Sequence, residues 1–241
     1  RELSAVIEEA YRYFSVITVT GPRQSGKTTL IRNLFPHLPY YSLENLDVRS
    51  FAENDPVAFL NQHAEGMILD EVHNAPNLLS YIQGMVDDDA DRRFILSGSS
   101  QFAMLKRITQ SLAGRTAVFE LLPLSYSEIR EIASDTPLDH LLLDGFYPAI
   151  YSGRNVPKFL YPAYMKTYLD KDVRDLLQIK DMMQFHTFIR LCAGRIGSLF
   201  KASELANEIG ISSHTITAWL SVLQASYIVA LLPPYFENTR K

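Results

Sequence analysis

Eight residues constrain this chain more than any other feature: Gly21-Pro22-Arg23-Gln24-Ser25-Gly26-Lys27-Thr28, set between an apolar segment and a stretch of helical spacing. The segment before them, Tyr13–Thr20 (YFSVITVT), is rich in aromatic and β-branched residues and predicts a buried strand. The stretch after them, Lys27–Phe35, predicts a helix. The spacing is GxxxxGK[ST]. Gly21 and Gly26 let the backbone bend so that successive N–H groups point inward, and the helix N-terminus completes a cradle for phosphate. Gly21, Pro22, Arg23, Gln24, Ser25, Gly26, Lys27, Thr28 and the adjoining Thr29 are the candidate nucleotide-binding residues. Lys27 brings charge to the β- and γ-phosphates, and Thr28 brings a hydroxyl to Mg²⁺.

The alternation of strand and helix then continues. Before the loop, Leu3, Val6, Ile7 and Ala10 predict an amphipathic helix. After it, strands are expected at Tyr40–Leu43, Met67–Asp70, Phe94–Ser97 and Ala117–Leu121. The intervening helices are expected at Val48–Gln62 (interrupted near Pro56), Asn77–Val86 and Gln101–Leu112. This pattern argues for a mainly parallel sheet covered on both faces. Beyond Pro123 the segments Ser125–Ala133, Leu138–Leu143, Lys158–Ile179 and Met183–Gly194 read as helices. The expected division is a P-loop domain over 1–124, a helical segment over 125–182 and a further module over 183–241.

A phosphate cradle needs a metal-holding carboxylate on a second strand end. Met67-Ile68-Leu69-Asp70-Glu71 supplies it: Asp70 is placed to hold Mg²⁺ through water, and Glu71 to polarise the attacking water as general base. An acidic strand-to-loop turn is common on surfaces; its position one βαβ unit after the loop is what favours chemistry. Ser97 and Ser99, at the end of the fourth strand, are sensor candidates for the water or the γ-phosphate, or N-caps of the next helix. Arg115 precedes the fifth strand. It is either a finger that stabilises charge at a neighbouring subunit's γ-phosphate or a cation at a helix C-terminus. Asp87-Asp88-Asp89 with Asp91 reads as a solvated loop, and His73 as a solvent-facing loop histidine that needs no role.

At 47% hydrophobic and 21% charged residues, the chain has globular composition, which excludes a mainly disordered chain. The single cysteine, Cys192, excludes an internal disulfide or a zinc finger and fits a reduced, cytoplasmic setting. No apolar run approaches the roughly 20 residues needed to span a bilayer, and no signal peptide is expected. A chain opening on Arg1 is expected to lack residues upstream. Charge is uneven: residues 1–152 carry −8 and residues 153–241 carry +4, so the rear part is the better candidate for an anionic partner.

Taken together, GPRQSGKTT, MILDEVH, ILSGSSQF and SLAGR resemble an AAA+ ATPase. More narrowly they are similar to a prokaryotic family that pairs such a domain with a second conserved domain of poorly known function. LPLSYSE (122–128), GFYP (145–148) and YLDKDVR (168–174) carry the same resemblance. It implies an α/β P-loop NTPase fold with a five-stranded parallel sheet in the order 5-1-4-3-2, a helical lid and a winged-helix module, with ATP and Mg as cofactors. It raises Arg115 as the finger; acting in trans, that residue requires an oligomer or a partner, and a homo-oligomer is expected. It also offers Arg174 as a second sensor, against a helix-face salt bridge with Asp170 or Asp172. A nuclease-like fold usually follows in that family, and no nuclease activity is assigned to these residues.

Residues 201–225 resemble a helix-turn-helix, with Ala206 at the close approach, Gly210 in the turn and Ser212 or Ser213 as cap. Tyr227–Leu232 is expected to open a wing whose return strand lies beyond the sequence. Ser213–Ala225 contains neither Lys nor Arg, so DNA binding would need Arg190, Arg195, Lys201, Arg240 and Lys241; a protein partner is the alternative.

Overall fold

The computed structural model describes residues 1–98, 111–169 and 181–233, without the side chains of residues 168 and 169. It divides into two compact units, Arg1–Pro157 and Lys158–Lys241. The expected helix at Gln101–Leu112 lies almost wholly outside the described residues. So do Ser99, Asp170, Asp172, Arg174 and the C-terminal Arg240 and Lys241.

In the front unit α1 (Leu3–Tyr11) leads into β1 (Val16–Thr20), α2 (Lys27–Leu34), β2 (Tyr40–Ser42), α3 (Leu46–Asn54), α4 (Pro56–Leu60) and β3 (Gly66–Asp70). Next come a 3-10 turn (Val72–Asn74), α5 (Leu78–Asp88), β4 (Arg93–Gly98) and β5 (Thr116–Glu120). The helices α6 (Tyr126–Ile132), α7 (Leu138–Asp144) and α8 (Pro148–Tyr151) close the unit. All pairs are parallel and the order is β2-β3-β4-β1-β5, which read from the other edge is 5-1-4-3-2.

The sheet's two faces follow from the period of two along each strand. Val16, Met67, Leu69, Phe94 and Leu96 point to one face, where they pack with Phe59, Leu78 and Ile82 from α4 and α5. Ile17, Val19, Ile68 and Ile95 point to the other, against Ile7 of α1 and Leu30 and Ile31 of α2. β1 and β3 are buried along their whole length, as strands with helices on both faces must be. At Pro56 the helix expected over 48–62 breaks in two. Asp55 then caps the second piece, its carboxylate accepting from the N–H of Ala58 at 3.0 Å.

Three expectations are corrected here. β1 begins at Val16, not Tyr13: its pairing begins with Val16 opposite Phe94 and Thr116, and Tyr13 is 77% exposed. Asp87 and Asp88 belong to the last turn of α5, not to a loop. Tyr227–Leu232 is not a strand. It finds no ladder partner among the described residues, and the N–H groups of Ile228 and Val229 turn back to the carbonyl of Leu223 at the end of the preceding helix.

The rear unit holds α9 (Pro157–Tyr164), a π turn (Met165–Leu169), α10 (Met182–Ala193), α11 (Ala202–Ile209) and α12 (Ser213–Ala225). Residues 170–179 of the helix expected over 158–179 lie outside the described residues. Phe185, Phe188, Leu205, Ile216, Trp219, Leu220 and Leu223 form its core, with Trp219 edge-on to Phe185 at 5.3 Å. α11 stops at Gly210, and Ser212 caps α12 by accepting from Thr215 N–H at 3.1 Å. This is a helix-turn-helix arrangement; no wing strand accompanies it among the described residues. No described helix is long and apolar enough to cross a membrane.

Candidate nucleotide site

Parallel strands bring their carboxyl ends to one edge of the sheet, and open α/β sheets bind ligands there. At that edge β1 delivers Gly21–Thr28, β3 delivers Asp70 and Glu71, and β4 delivers Ser97. The loop is shaped by positive φ at Gly21 (141°), Gln24 (63°) and Gly26 (96°). At Gly21 glycine is required for a second reason: a Cβ there would stand 2.2 Å from the carbonyl oxygen of Leu121, just beyond β5.

Lys27 is buried, and its ammonium donates to the loop's own carbonyls, Gly21 O at 3.0 Å and Pro22 O at 2.9 Å. Burial pulls its pKa down, and the carboxylates of Glu71 and Asp70 push it back up. Ser25 is buried with a hydroxyl that has no hydrogen-bond partner among the described residues. Pro22 is buried too and Arg23 is half-buried, whereas Gln24 and Thr29 are exposed.

Asp70 is the hub of the site. Its Oδ2 accepts from Thr28 Oγ1 and from Tyr40 Oη, each at 2.7 Å. Its Oδ1 accepts from the Glu71 N–H at 3.1 Å and from Ser97 Oγ. One carboxylate thus collects donors from α2, β2, β4 and its own loop, which fixes its plane. Thr28 gives its proton to Asp70 and so keeps its lone pairs for a cation. A hydroxyl and a carboxylate are hard oxygen donors of the kind Mg²⁺ takes, so these residues fit the ion.

Glu71 sits in the left-handed region (φ 55°, ψ 46°). That conformation costs a non-glycine residue about 1–3 kcal/mol, and such strain clusters at functional sites. The turn that follows brings His73 Nδ1 to 3.1 Å from Glu71 Oε2, with the two side chains only 21% and 15% exposed. The expectation of a solvent-facing histidine is therefore corrected: the 3-10 turn folds it inward.

Arg115 lies at the opposite edge of the sheet. It immediately precedes Thr116, which pairs with Val16, whereas the loop follows Thr20. The five residues of β5, at about 3.3 Å each, put it about 16 Å along the strand direction from the loop. Its guanidinium forks onto Asp87, with Nη2 to Oδ2 at 2.8 Å, and donates to Ala113 O at 3.0 Å. The pair raises the pKa of Arg115 and lowers that of Asp87. Arg115 is therefore held away from the phosphate loop of its own subunit.

Two further groups border the site without a sequence signal. Tyr40, at the start of β2, reaches Asp70 only because β2 pairs with β3; its ring carries the Arg32 guanidinium 4.7 Å from the centroid. Arg1 donates to Ser25 O at 3.3 Å, Leu122 O at 2.6 Å and Pro123 O at 3.1 Å, and its Nε lies 2.9 Å from Glu128 Oε1. Glu128 also closes the capping box of α6 with Ser125. One guanidinium thus joins the phosphate loop, the exit of β5 and the start of α6.

Comparison with known proteins agrees with this geometry. Residues 13–130 match the model of an AAA domain, and residues 135–241 match a domain of unknown function. An uncharacterized protein of Mycobacterium tuberculosis is 30% identical over 250 residues, covering 100% of this chain and 55% of that protein. One of Methanocaldococcus jannaschii is 22% identical over 255 residues, covering 92% and 57%. The chain thus spans about half the length of the curated relatives it matches. The Walker-type ATPase of Pyrococcus abyssi superposes with a TM-score of 0.62 at 14% identity, over 94% of this chain and 89% of that one. The chain therefore has the fold of a P-loop ATPase, and its front part is similar in sequence to AAA domains.

Proposed function

We propose that this chain binds ATP and hydrolyses it with Mg²⁺. The observation that carries the reading is the Thr28–Asp70 hydrogen bond, 2.7 Å long, at the edge where Lys27 and Glu71 also stand. The loop amides and Lys27 hold the β- and γ-phosphates; binding draws the ammonium from the carbonyls of Gly21 and Pro22 to phosphate oxygens. Thr28 and Asp70 would hold Mg²⁺, and the bound ion would supply positive charge against that developing on the phosphates. Glu71 orients a water in line with the γ-phosphorus and takes its proton as the water's oxygen bonds to phosphorus and ADP departs. Ser97 keeps Asp70 in place.

Arg115 acts on the site of a neighbouring subunit, so the working form is a homo-oligomer. Residues 1–124 serve as the ATPase domain, 125–182 as lid, and 183–241 as a module moved by the nucleotide cycle. For that module a protein partner fits better than DNA. The exposed face of α12 offers Ser213, His214, Thr217, Ser221 and Gln224. Of the nearby cations, Lys201 is bonded to Glu204 and Arg195 to Glu208. Uncharged groups and neutralised cations give little pull on a phosphate backbone.

The test is steady-state phosphate release with Mg-ATP, comparing the protein with Glu71→Gln across protein concentration. Turnover that rises per subunit with concentration and disappears with the substitution is expected. Tight ATP binding without turnover at any concentration would instead favour a nucleotide-dependent switch whose output is partner binding.

A further inference from the structure

We infer that Asp87 is a clasp on Arg115: in a lone subunit it holds the guanidinium closed, and a neighbouring subunit's γ-phosphate must displace it before the finger can act. Asp87 thereby sets the protein concentration at which activation between subunits begins. The inference rests on the reading of Arg115 as a finger that serves a neighbouring subunit of an ATPase.

Four observations carry it. The guanidinium donates to both carboxylate oxygens of Asp87, from Nε to Oδ1 and from Nη2 to Oδ2 at 2.8 Å, while Nη1 donates to Ala113 O at 3.0 Å. All three of its nitrogens are thus turned onto their own subunit. The pair lies at the surface, with the Arg115 and Asp87 side chains 35% and 44% exposed, so a second subunit can reach it. The backbone beneath is fixed: the Arg115 N–H donates to Leu112 O at 3.0 Å, the Arg115 carbonyl accepts from the Val16 N–H at 3.2 Å, and Leu112 is fully buried. Release of the finger is therefore a swing of one side chain that leaves β5 in place. Lastly, Asp87 is poorly placed for stability. It stands in the last turn of α5 beside Asp88, where the negative end of the helix and a like charge both disfavour a carboxylate. Arg115 is the cation paired with it among the described residues.

The chemistry makes this pair exchangeable. A carboxylate and a phosphate offer a guanidinium the same fork of two oxygens, so one replaces the other with no change in the donor's geometry. The γ-phosphate brings more negative charge, and in a contact closed to water that charge attracts more strongly than Asp87 does at an open surface. An exposed ion pair contributes little to the fold, so its release threatens neither β5 nor α5. It suffices to bias where the side chain rests. When Arg115 leaves, Asp87 is left at the end of α5 without its counter-ion, which strengthens the hold. A clasp of this kind yields to a neighbour's nucleotide and not to solvent, so it keeps isolated subunits in the held state.

The experiment measures steady-state turnover of Mg-ATP across protein concentration, and self-association by sedimentation velocity with Mg²⁺ and either a non-hydrolysable ATP analogue or ADP. The proteins are the wild type, Asp87→Asn, Asp88→Asn, Arg115→Ala and the double variant Asp87→Asn/Arg115→Ala. Asp88→Asn removes the same charge one residue on. Asp87→Asn is expected to reach half-maximal turnover, and half-maximal assembly with the analogue, at a protein concentration about two- to five-fold below wild type, the ratio to which an exposed ion pair corresponds. Its plateau turnover should equal that of wild type. With ADP, which lacks the γ-phosphate, its assembly should coincide with wild type, and the double variant should gain nothing over Arg115→Ala. Asp87→Asn curves that superimpose on wild type, with Arg115→Ala inactive, overturn the inference and leave the finger standing. So does an equal gain in Asp88→Asn, with ADP or in the Arg115→Ala background, since each traces to net charge. So does wild-type assembly that is complete at every concentration, since nothing is then gated. Turnover undiminished in Arg115→Ala overturns the finger itself, and the inference with it.

Discussion

Replacing Gly21 by alanine tests whether this glycine is required by the loop's bend alone or also by its neighbour strand. Its φ of +141° is one an L-residue rarely adopts, and an added Cβ would meet Leu121 O at 2.2 Å and Leu121 C at 3.0 Å. An ordinary carbon–oxygen contact is about 3.3 Å or longer, so that carbonyl must retreat by roughly 1 Å. Leu121 cannot do so freely. It is 2% exposed within the core under α1 and α2, and its N–H donates to Thr20 O at 2.8 Å. The backbone strain is worth about 1–3 kcal/mol and the lost Thr20–Leu121 bond about 1 kcal/mol. The total expected is therefore about 3 kcal/mol, a fall in Tm of about 6–12 °C for a chain of this size. Gly114→Ala is the control: its φ is +78° with no described atom within 4 Å of the new Cβ, so the left-handed strain of about 1 kcal/mol is what applies. Urea unfolding and thermal melts of the two variants measure the difference. Equal losses in the two would refute the clash with Leu121 and leave conformation as the only reason for glycine at position 21.

Three more outcomes are expected. Arg115→Ala should lower turnover of the assembled protein by about 1,000-fold or more while sparing ATP affinity, whereas Asp87→Asn, which only frees the guanidinium, should not lower it; unchanged turnover in Arg115→Ala removes the finger. Tyr40→Phe keeps the ring beside Arg32 but takes one donor from Asp70, and should weaken Mn²⁺ binding to the ADP complex about 10-fold or more, read by electron paramagnetic resonance. Burial pushes the Glu128 carboxyl up, but the N–H groups of Ser125 and Glu2 and the Arg1 guanidinium pull it down further, so its folded pKa lies below the ordinary value. Its stabilisation is then present above about pH 4.3 and lost as pH falls through the folded value. The Tm gap between wild type and Glu128→Gln should stand at pH 7 and narrow as the pH falls below about 4.3; a gap that is unchanged throughout the acid range would refute the linkage.

Much of the site was legible because it depends on local order. A strand, a two-glycine turn and a helix must occur in sequence for a phosphate cradle to form, so Gly21 to Thr28 announced themselves. An apolar strand ending in Asp70-Glu71 did the same, since the carboxyl ends of parallel strands share an edge. The helix break at Pro56 and the cap at Ser212 were also readable, because proline's missing N–H and a serine's oxygen act within a turn. The strand expected at Tyr227–Leu232 is absent for the opposite reason. β-branched residues state a preference, but a strand exists only where a partner takes its hydrogen bonds, and here the helix end took them.

What sequence alone determined is thus the fold class and the chemical character of the loop and of the Asp70-Glu71 strand end. Tertiary structure decided which groups serve them. Tyr40 meets Asp70 because β2 lies beside β3, and Gly21 is barred from bearing a side chain because β5 lies beside β1. Arg115 is kept from its own site because the start of β5 and the end of β1 fall on opposite edges of one sheet. His73 turns inward because Val72 and Ala75 are anchored in the core. Each of these depends on distances between residues that the chain's linear order leaves open, and only the packing of strands and helices closes them.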